Sequence, residues 1–424
     1  MSVESTILKQ IRSLVESEYQ VIRSHINLNG SGNYPYGEVL EALRSPVSIN
    51  PGEGFRGRRY FAKCQNLDRI EELAEASVLN YFQLDPADWG ANLQPHSGTQ
   101  ANQAVMFGLL KQAPKVLALN GKSGGHISHL ILPELISELH EYDLHKDGTM
   151  NLDSIEAGLR GTENSLVIIG GSSYPLDYDY AGVSALCKQY GAYLLADLSH
   201  TAAFVATDAL ESPFPWADFV TFTTQKTFRG PRGGVIMYRK EYEKRILRSI
   251  FPIVQAAPKF NEIFAKVTAI ELMLRDREEY VQRVFRHRQI FLDTFLARGI
   301  DVLFGTSANH LLIIGTDAHG YSGQELQTRF AEHGILANKN SIPNDQRPPW
   351  IASGIRFGFM PTATLGISDQ SMRQLASYVC DLILKVSPTP GIIERITQHY
   401  VLPFMDQNYP HTKPYSGLTT LMAS

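Results

Sequence analysis

From about residue 68 onward, short apolar runs at 115–119, 165–169, 192–196, 219–222 and 234–238 are separated by stretches long enough for a helix. Short apolar strands joined by helix-length crossovers build a mainly parallel sheet covered on both faces, which predicts an α/β chain. In such sheets ligands sit beyond the carboxyl ends of the strands. The chemically distinctive residues fall at those ends. Asp197 and His200 follow the run at 192–196, Gln225 and Lys226 follow 219–222, and Ser172 and Ser173 follow 165–169.

The flanks of this pattern differ from it. Leu8, Ile11, Leu14, Val15, Val21 and Ile22 recur at roughly helical spacing, so residues 2–24 read as an amphipathic helix. Residues 27–59 are rich in Gly, Asn and Pro and read as an irregular arm. A charged helical stretch at 261–293 leads to a smaller segment at 299–384, with strand-like residues at 309–316 and 354–358. The expected division is a helix and arm over 1–64, a large domain over 65–285 and a small C-terminal α/β domain over 286–424. With 39 Lys and Arg against 43 Asp and Glu, the net charge of −4 gives no basic footprint for nucleic acid. Cys64, Cys187 and Cys380 are too scattered for a disulfide framework or a cysteine metal site, which points to a reducing cytoplasm and no metal. No basic-then-apolar leader opens the chain and no apolar run is long enough to cross a bilayer, so no membrane association is expected.

The strongest local signal is Thr223-Thr224-Gln225-Lys226-Thr227, followed by Gly230-Pro231-Arg232-Gly233-Gly234. A lysine at a strand end, among hydroxyls and beside a glycine-rich turn, has the setting that a Schiff-base lysine needs; a surface lysine before a turn fits the same residues. A P-loop does not, because its glycines precede the Lys-Thr pair and here they follow it. Asp197 can hold the proton of a pyridinium nitrogen, with His200 turning back to the same ligand, or it can cap a helix. His96-Ser97-Gly98-Thr99-Gln100 opens a helical run and gathers hydroxyls and free amides, as a phosphate site or as a plain cap. Gly124-Gly125-His126 lets an imidazole approach a flat ring, although a lone histidine also serves structure. Arg356, within Ser353-Gly354-Ile355-Arg356-Phe357-Gly358, suits a substrate carboxylate or an interdomain salt bridge.

In this order the segments resemble serine hydroxymethyltransferase, a fold type I pyridoxal-phosphate enzyme, across about residues 25–384. The resemblance also rests on Gly52-Glu53-Gly54, Arg58-Arg59-Tyr60 and Asn338-Lys339-Asn340-Ser341-Ile342-Pro343-Asn344-Asp345. It implies a large domain with a mainly parallel, seven-stranded type of sheet and a smaller C-terminal domain. Lys226 is then the Schiff-base lysine, Asp197 the pyridinium partner and His126 the residue stacked on the ring. Ser97, Gly98 and Thr99 match the phosphate turn, Ser173 and His200 the contacts to the ring oxygen, and Gln225 a further cofactor neighbour. Arg356, Ser31 and Tyr60 fall on the substrate side. Glu53 matches an acid/base carboxylate that reaches the neighbouring subunit's site, which implies a homodimer.

Several positions depart from the family pattern. Pro51 and Phe61 replace tyrosines, Gly32 a glutamate, Gln225 a histidine, and Gly121 a leucine that covers the folate ring. The stretch 131–139 reads as a shortened and rewritten loop, and 253–257 lacks the family's phosphate-loop glycines. Cofactor chemistry is kept in this comparison, whereas tetrahydrofolate recognition is weakened. The expected activity is interconversion of a β-hydroxy-α-amino acid with glycine and an aldehyde or one-carbon unit. The alternatives are a folate-independent threonine aldolase or transaldolase, another fold type I reaction such as transamination or decarboxylation, and a catalytically idle paralogue acting as a binding protein.

Overall fold

The computed structural model describes residues 6–109 and 114–410. Seven strands form the central sheet: β1 Trp89–Asn92, β2 Lys115–Leu119, β3 Glu138–Tyr142, β4 Leu166–Ile169, β5 Tyr193–Asp197, β6 Phe219–Thr223 and β7 Gly234–Arg239. Their spatial order is β1-β7-β6-β5-β4-β2-β3. Only β7 runs against its neighbours, pairing antiparallel with β1 and β6. Successive side chains on a strand point to opposite faces, so the sheet feeds two cores. Val167, Ile169, Leu194 and Ala196 enter one, and Leu166, Ile168 and Leu195 enter the other with Ala101, Ala104 and Val105 of the helix Gly98–Leu109.

The five strands read from apolar runs are present, with ends shifted by at most one residue. Two strands were not legible as such runs. β1 is four residues long and interrupted by Gly90, while β3 is an edge strand of sequence Glu-Leu-His-Glu-Tyr that leaves most of its length partly exposed. The stretch 131–139 is therefore not a loop: it is the end of the helix Ile127–Ile136 and the start of β3. The arm at 27–59 also holds more structure than its composition suggests. It contains the helix Gly37–Leu43, which buries Val39 and Ala42, and a hairpin of Gly54–Phe55 with Arg58–Arg59.

A helix of 38 residues, Phe260–Ala297, runs unbroken through the expected boundary at 285 and packs against the helices Gly37–Leu43, Gln65–Tyr81 and Asp369–Ile383. Beyond it, β8 Leu311–Gly315, β9 Asn338–Asn340 and β10 Gly354–Gly358 form an antiparallel sheet with β10 in the middle. The opening helix spans Thr6–Ser24, with residues 2–5 of the expected helix outside the described residues, as are 411–424 of the expected C-terminal domain. Among the described residues no helix is long and apolar enough to cross a membrane.

One buried cation ties this frame to the start of the helix Gly98–Leu109. Lys266 is fully buried, and its Nζ donates to the carbonyls of Leu93 (2.7 Å), Pro95 (2.7 Å) and Gly234 (3.2 Å). Burial pushes its pKa down to about 7. Three carbonyl acceptors oppose that push, because only the ammonium has three N–H bonds to give. Lys266→Met leaves all three carbonyls without this donor and should cost about 3 kcal/mol. A denaturant unfolding curve checks it; a midpoint equal to that of the parent chain refutes the clamp.

Candidate active site

The site forms where β5 and β6 end, beside the first turn of the helix Gly98–Leu109. Asp197 is the last residue of β5 and is buried. Its Oδ2 accepts from Asn102 Nδ2 at 2.8 Å and lies 2.9 Å from His129 Nε2, while Oδ1 accepts from the Ser199 amide at 2.9 Å. Burial raises the pKa of this carboxyl, but the contacts with His129, Ser199 and Asn102 outweigh it and hold the group below the ordinary carboxylate range. Asn102 is itself fixed by Thr221 Oγ1, which donates to its Oδ1 at 2.6 Å. The capping alternative for Asp197 fails: the cap position of the next helix, Ala202–Val205, is Thr201, and among the described residues no side chain caps it.

Lys226 lies three residues beyond β6 and is 7% exposed, which removes the surface-lysine reading. Burial lowers its pKa to about 8; Asp197 pulls it upward, and Arg356 and Arg232 push it further down. The glycine-rich turn folds back on this segment, with the Gly230 amide donating to Thr224 O at 2.8 Å and Thr224 Oγ1 donating to Pro231 O at 2.7 Å. From the arm, Asn33 Nδ2 donates to the Lys226 carbonyl at 2.7 Å. Buried oxygens beside Lys226 in the chain, Thr223 Oγ1 and Gln225 Oε1, have no hydrogen-bond partner among the described residues. Ser97 caps the helix by accepting from the Gln100 amide at 3.0 Å, and Thr99 is exposed in its first turn. A Cβ on Gly98 would lie 2.5 Å from Thr223 Cγ2 and 3.2 Å from Ser199 Oγ, so only glycine brings this turn so close to the ends of β5 and β6.

His126 caps the helix Ile127–Ile136, accepting from the Ser128 amide at 3.2 Å, and its ring lies 5.5 Å from that of His129. Burial lowers its pKa to about 4, so it is neutral near pH 7. Gly124, at φ +111°, lets the loop press on Ser173, whose amide donates to the Gly124 carbonyl at 3.2 Å. Arg356 enters from β10. It donates to Ser31 Oγ (2.9 Å), to Asn338 Oδ1 (3.2 Å from Nη2) and to the Ser172 carbonyl. These are neutral oxygens, and among the described residues no ion pair of Arg356 exists, which excludes the interdomain salt bridge. Burial lowers its pKa to about 10, leaving it a cation at neutral pH. His126, His200, Lys226 and Arg356 lie close enough to perturb one another electrostatically, so the structure brings these residues together with Asp197.

Glu53 and Tyr60 stand apart from this cluster. Glu53 precedes the hairpin, and Tyr60, 75% exposed, lines a separate cleft of about 790 Å³ with Phe55, Arg58, Glu71, Arg248 and Phe251. Four positioning residues escaped sequence reasoning: His129, Asn102, Asn33 and His310, the last lying 3.4 Å from His200. His129 had a signal, its spacing of three residues from His126 at a helix start.

The family model described as Serine hydroxymethyltransferase matches residues 5–379. Serine hydroxymethyltransferase from Cupriavidus necator is 32% identical over 378 residues, covering 88% of this chain and 90% of the relative. The protein of the same name from Acidovorax sp. (strain JS42) is 33% identical over the same length, with the same coverage. The motifs, the sheet and these matches agree: the chain belongs to the serine hydroxymethyltransferase family of fold type I pyridoxal-phosphate enzymes.

Proposed function

We propose that this protein makes or breaks the Cα–Cβ bond of a β-hydroxy-α-amino acid, with glycine on one side and an aldehyde or one-carbon unit on the other. The observation that carries this reading is the buried amine of Lys226, with its pKa lowered to about 8, beside an ionised Asp197 and an Arg356 free of carboxylate partners. The residues fit pyridoxal phosphate. Thr223 Oγ1, Gln225 Oε1 and His200 Nε2 are buried polar atoms with no partner among the described residues, and Gly98, without a side chain, brings the helix start against Thr223 and Ser199.

Pyridoxal phosphate, when bound, supplies an electron sink for negative charge at Cα. Lys226 would anchor it; Ser97, Gly98 and Thr99 would hold its phosphate through a hydroxyl and first-turn amides. Asp197 would keep a proton on the pyridine nitrogen, because a carboxylate with a depressed pKa stays anionic beside it. Neutral His126 would cover the ring face, and Ser173 and His200 would meet the ring oxygen. Arg356 and Ser31 would orient the substrate carboxylate. Glu53 and Tyr60, the latter exposed beside a separate cleft, would serve the site of a second copy in a homodimer, with Glu53 moving the proton at the substrate hydroxyl. The scattered cysteines suit a cytoplasmic enzyme.

We infer weak use of tetrahydrofolate from one departure from the family pattern. The position that a leucine occupies in the family is Gly121, where a Cβ would lie 3.2 Å from Leu130 Cδ1, and Lys122 Nζ binds the Asp345 carbonyl at 2.8 Å across the same rim. A missing leucine removes about 1.5–3 kcal/mol of apolar contact with a flat ring.

Three outcomes follow from these roles. Lys226→Ala should no longer retain a pyridoxyl group after borohydride reduction, and labelling at another lysine would overturn the assignment. In the parent chain the rate of covalent capture of pyridoxal phosphate should rise about tenfold per pH unit below 8 and level off above it, since the neutral amine is the nucleophile; a rise continuing to pH 10 would contradict the lowered pKa. Arg356→Gln should weaken glycine binding, read by spectral titration of the holoenzyme, by about 100-fold. For the carrier, glycine release from serine and from threonine should be little changed by tetrahydrofolate, whereas strong acceleration of serine cleavage would establish ordinary hydroxymethyl transfer.

A further inference from the structure

His310 precedes β8, outside the motifs that carry the resemblance, and is fully buried. Its Nε2 lies 3.1 Å from the Gly30 carbonyl and 3.4 Å from His200 Nδ1. The two imidazoles are 15° from parallel with centroids 5.4 Å apart, only 2.0 Å more than the nitrogen separation of 3.4 Å. That difference is close to two centroid-to-nitrogen radii, so the rings meet edge to edge with nitrogens facing, not as a face-to-face stack. His200 Nε2, on the far side of its ring, is buried without a partner among the described residues.

A carbonyl oxygen only accepts, so the proton of His310 belongs on Nε2, toward Gly30. A neutral imidazole carries one N–H. The same N–H edge faces His200 Nδ1, which must then present its lone pair, and the proton of His200 is left on Nε2. We propose that His310 is a positioning residue that fixes His200 as the Nε2–H tautomer and so makes it a hydrogen-bond donor toward the cofactor's ring oxygen. The proposal rests on the reading of His200 as the neighbour of that oxygen. Burial keeps both rings neutral, lowering the pKa of His310 to about 3 and that of His200 well below its ordinary value. Lys226, Arg356 and His126 also face His200 and act in the same direction, since each cation or potential cation disfavours a second proton there.

The Gly30 carbonyl reaches His310 because Gly30 has no side chain: a Cβ there would lie 2.6 Å from Leu311 Cδ2 and 3.0 Å from Arg356 Nε. The next residue, Ser31, holds Arg356. One turn of the arm therefore sets both the substrate-side arginine and the proton on His200.

The test is nitrogen-15 NMR of histidine side chains in the full chain, as the holoenzyme and again after cofactor removal, with His200→Asn to assign the signal. The parent should show His200 protonated on Nε2 alone in both states. His310→Leu should give a mixture of His200 tautomers, and His310→Gln, whose amide N–H can replace Nε2–H, should restore the single form. In amino-acid cleavage His310→Leu should lower kcat about tenfold with KM unchanged, the loss of one neutral hydrogen bond. A parent His200 protonated on Nδ1, or a His310→Leu spectrum identical to the parent's, overturns the proposal. If His310→Leu does not fold, the parent tautomer decides alone. Failure of pyridoxal phosphate to attach at Lys226, with the tautomer still dependent on His310, would sink the proposed function and leave the relay standing.

Discussion

The arrangement depends on a carboxylate kept ionised inside the protein. Burial penalises the charge of Asp197, and the penalty is met by contacts from three directions: the amide of its own loop at Ser199, a helix side chain at Asn102 and an imidazole at His129. Each comes from a different part of the chain. The ionised state of one group thus requires the loop after β5, the helix Gly98–Leu109 and the helix Ile127–Ile136 to be placed together. Thr221 extends the requirement to β6, because it fixes the amide of Asn102.

Around this anion the remaining charges are sorted by burial. Arg356 keeps its charge despite the loss of water, since its pKa falls only to about 10. Lys226 is moved to where amine and ammonium are both accessible, and the histidines are driven neutral. The pocket therefore presents a permanent anion, a permanent cation, a titratable amine and neutral imidazoles. That combination separates the tasks of holding a pyridine proton, binding a carboxylate and exchanging a covalent bond.

The parts of this design carried by continuous segments were legible in the sequence. β4 and the part of β5 before Asp197 read as strands because they are apolar, and Lys226, Asp197 and Arg356 stand out because charges at the ends of or within such strands need a reason. Trp89–Asn92 and Glu138–Tyr142 were not legible, since short or edge strands lack the apolar run that burial on both faces imposes. Contacts between distant segments were hidden for a different reason. Asn33 meets Lys226 and His310 meets Gly30 only after the chain has folded, and no local spacing encodes either pairing. Composition misled over 27–59, where Gly and Pro suggested irregularity but Val39 and Ala42 supply enough apolar surface to dock a short helix. The part played by Glu53 rests on the family pattern.

The helix Phe260–Ala297, about 57 Å long, is anchored at two levels. Lys266 fastens one end to the loops beside the central sheet, and His287 fastens the other, with Nδ1 3.0 Å from Thr362 Oγ1 and Nε2 2.9 Å from the Ile367 carbonyl. A rod pinned in this way is a poor hinge. Swinging the sheet that carries Arg356 away from Lys226 would bend an uninterrupted helix or strip buried donors from their acceptors, each costly. The separation between the Arg356 guanidinium and the Lys226 amine is therefore set by the stiff frame.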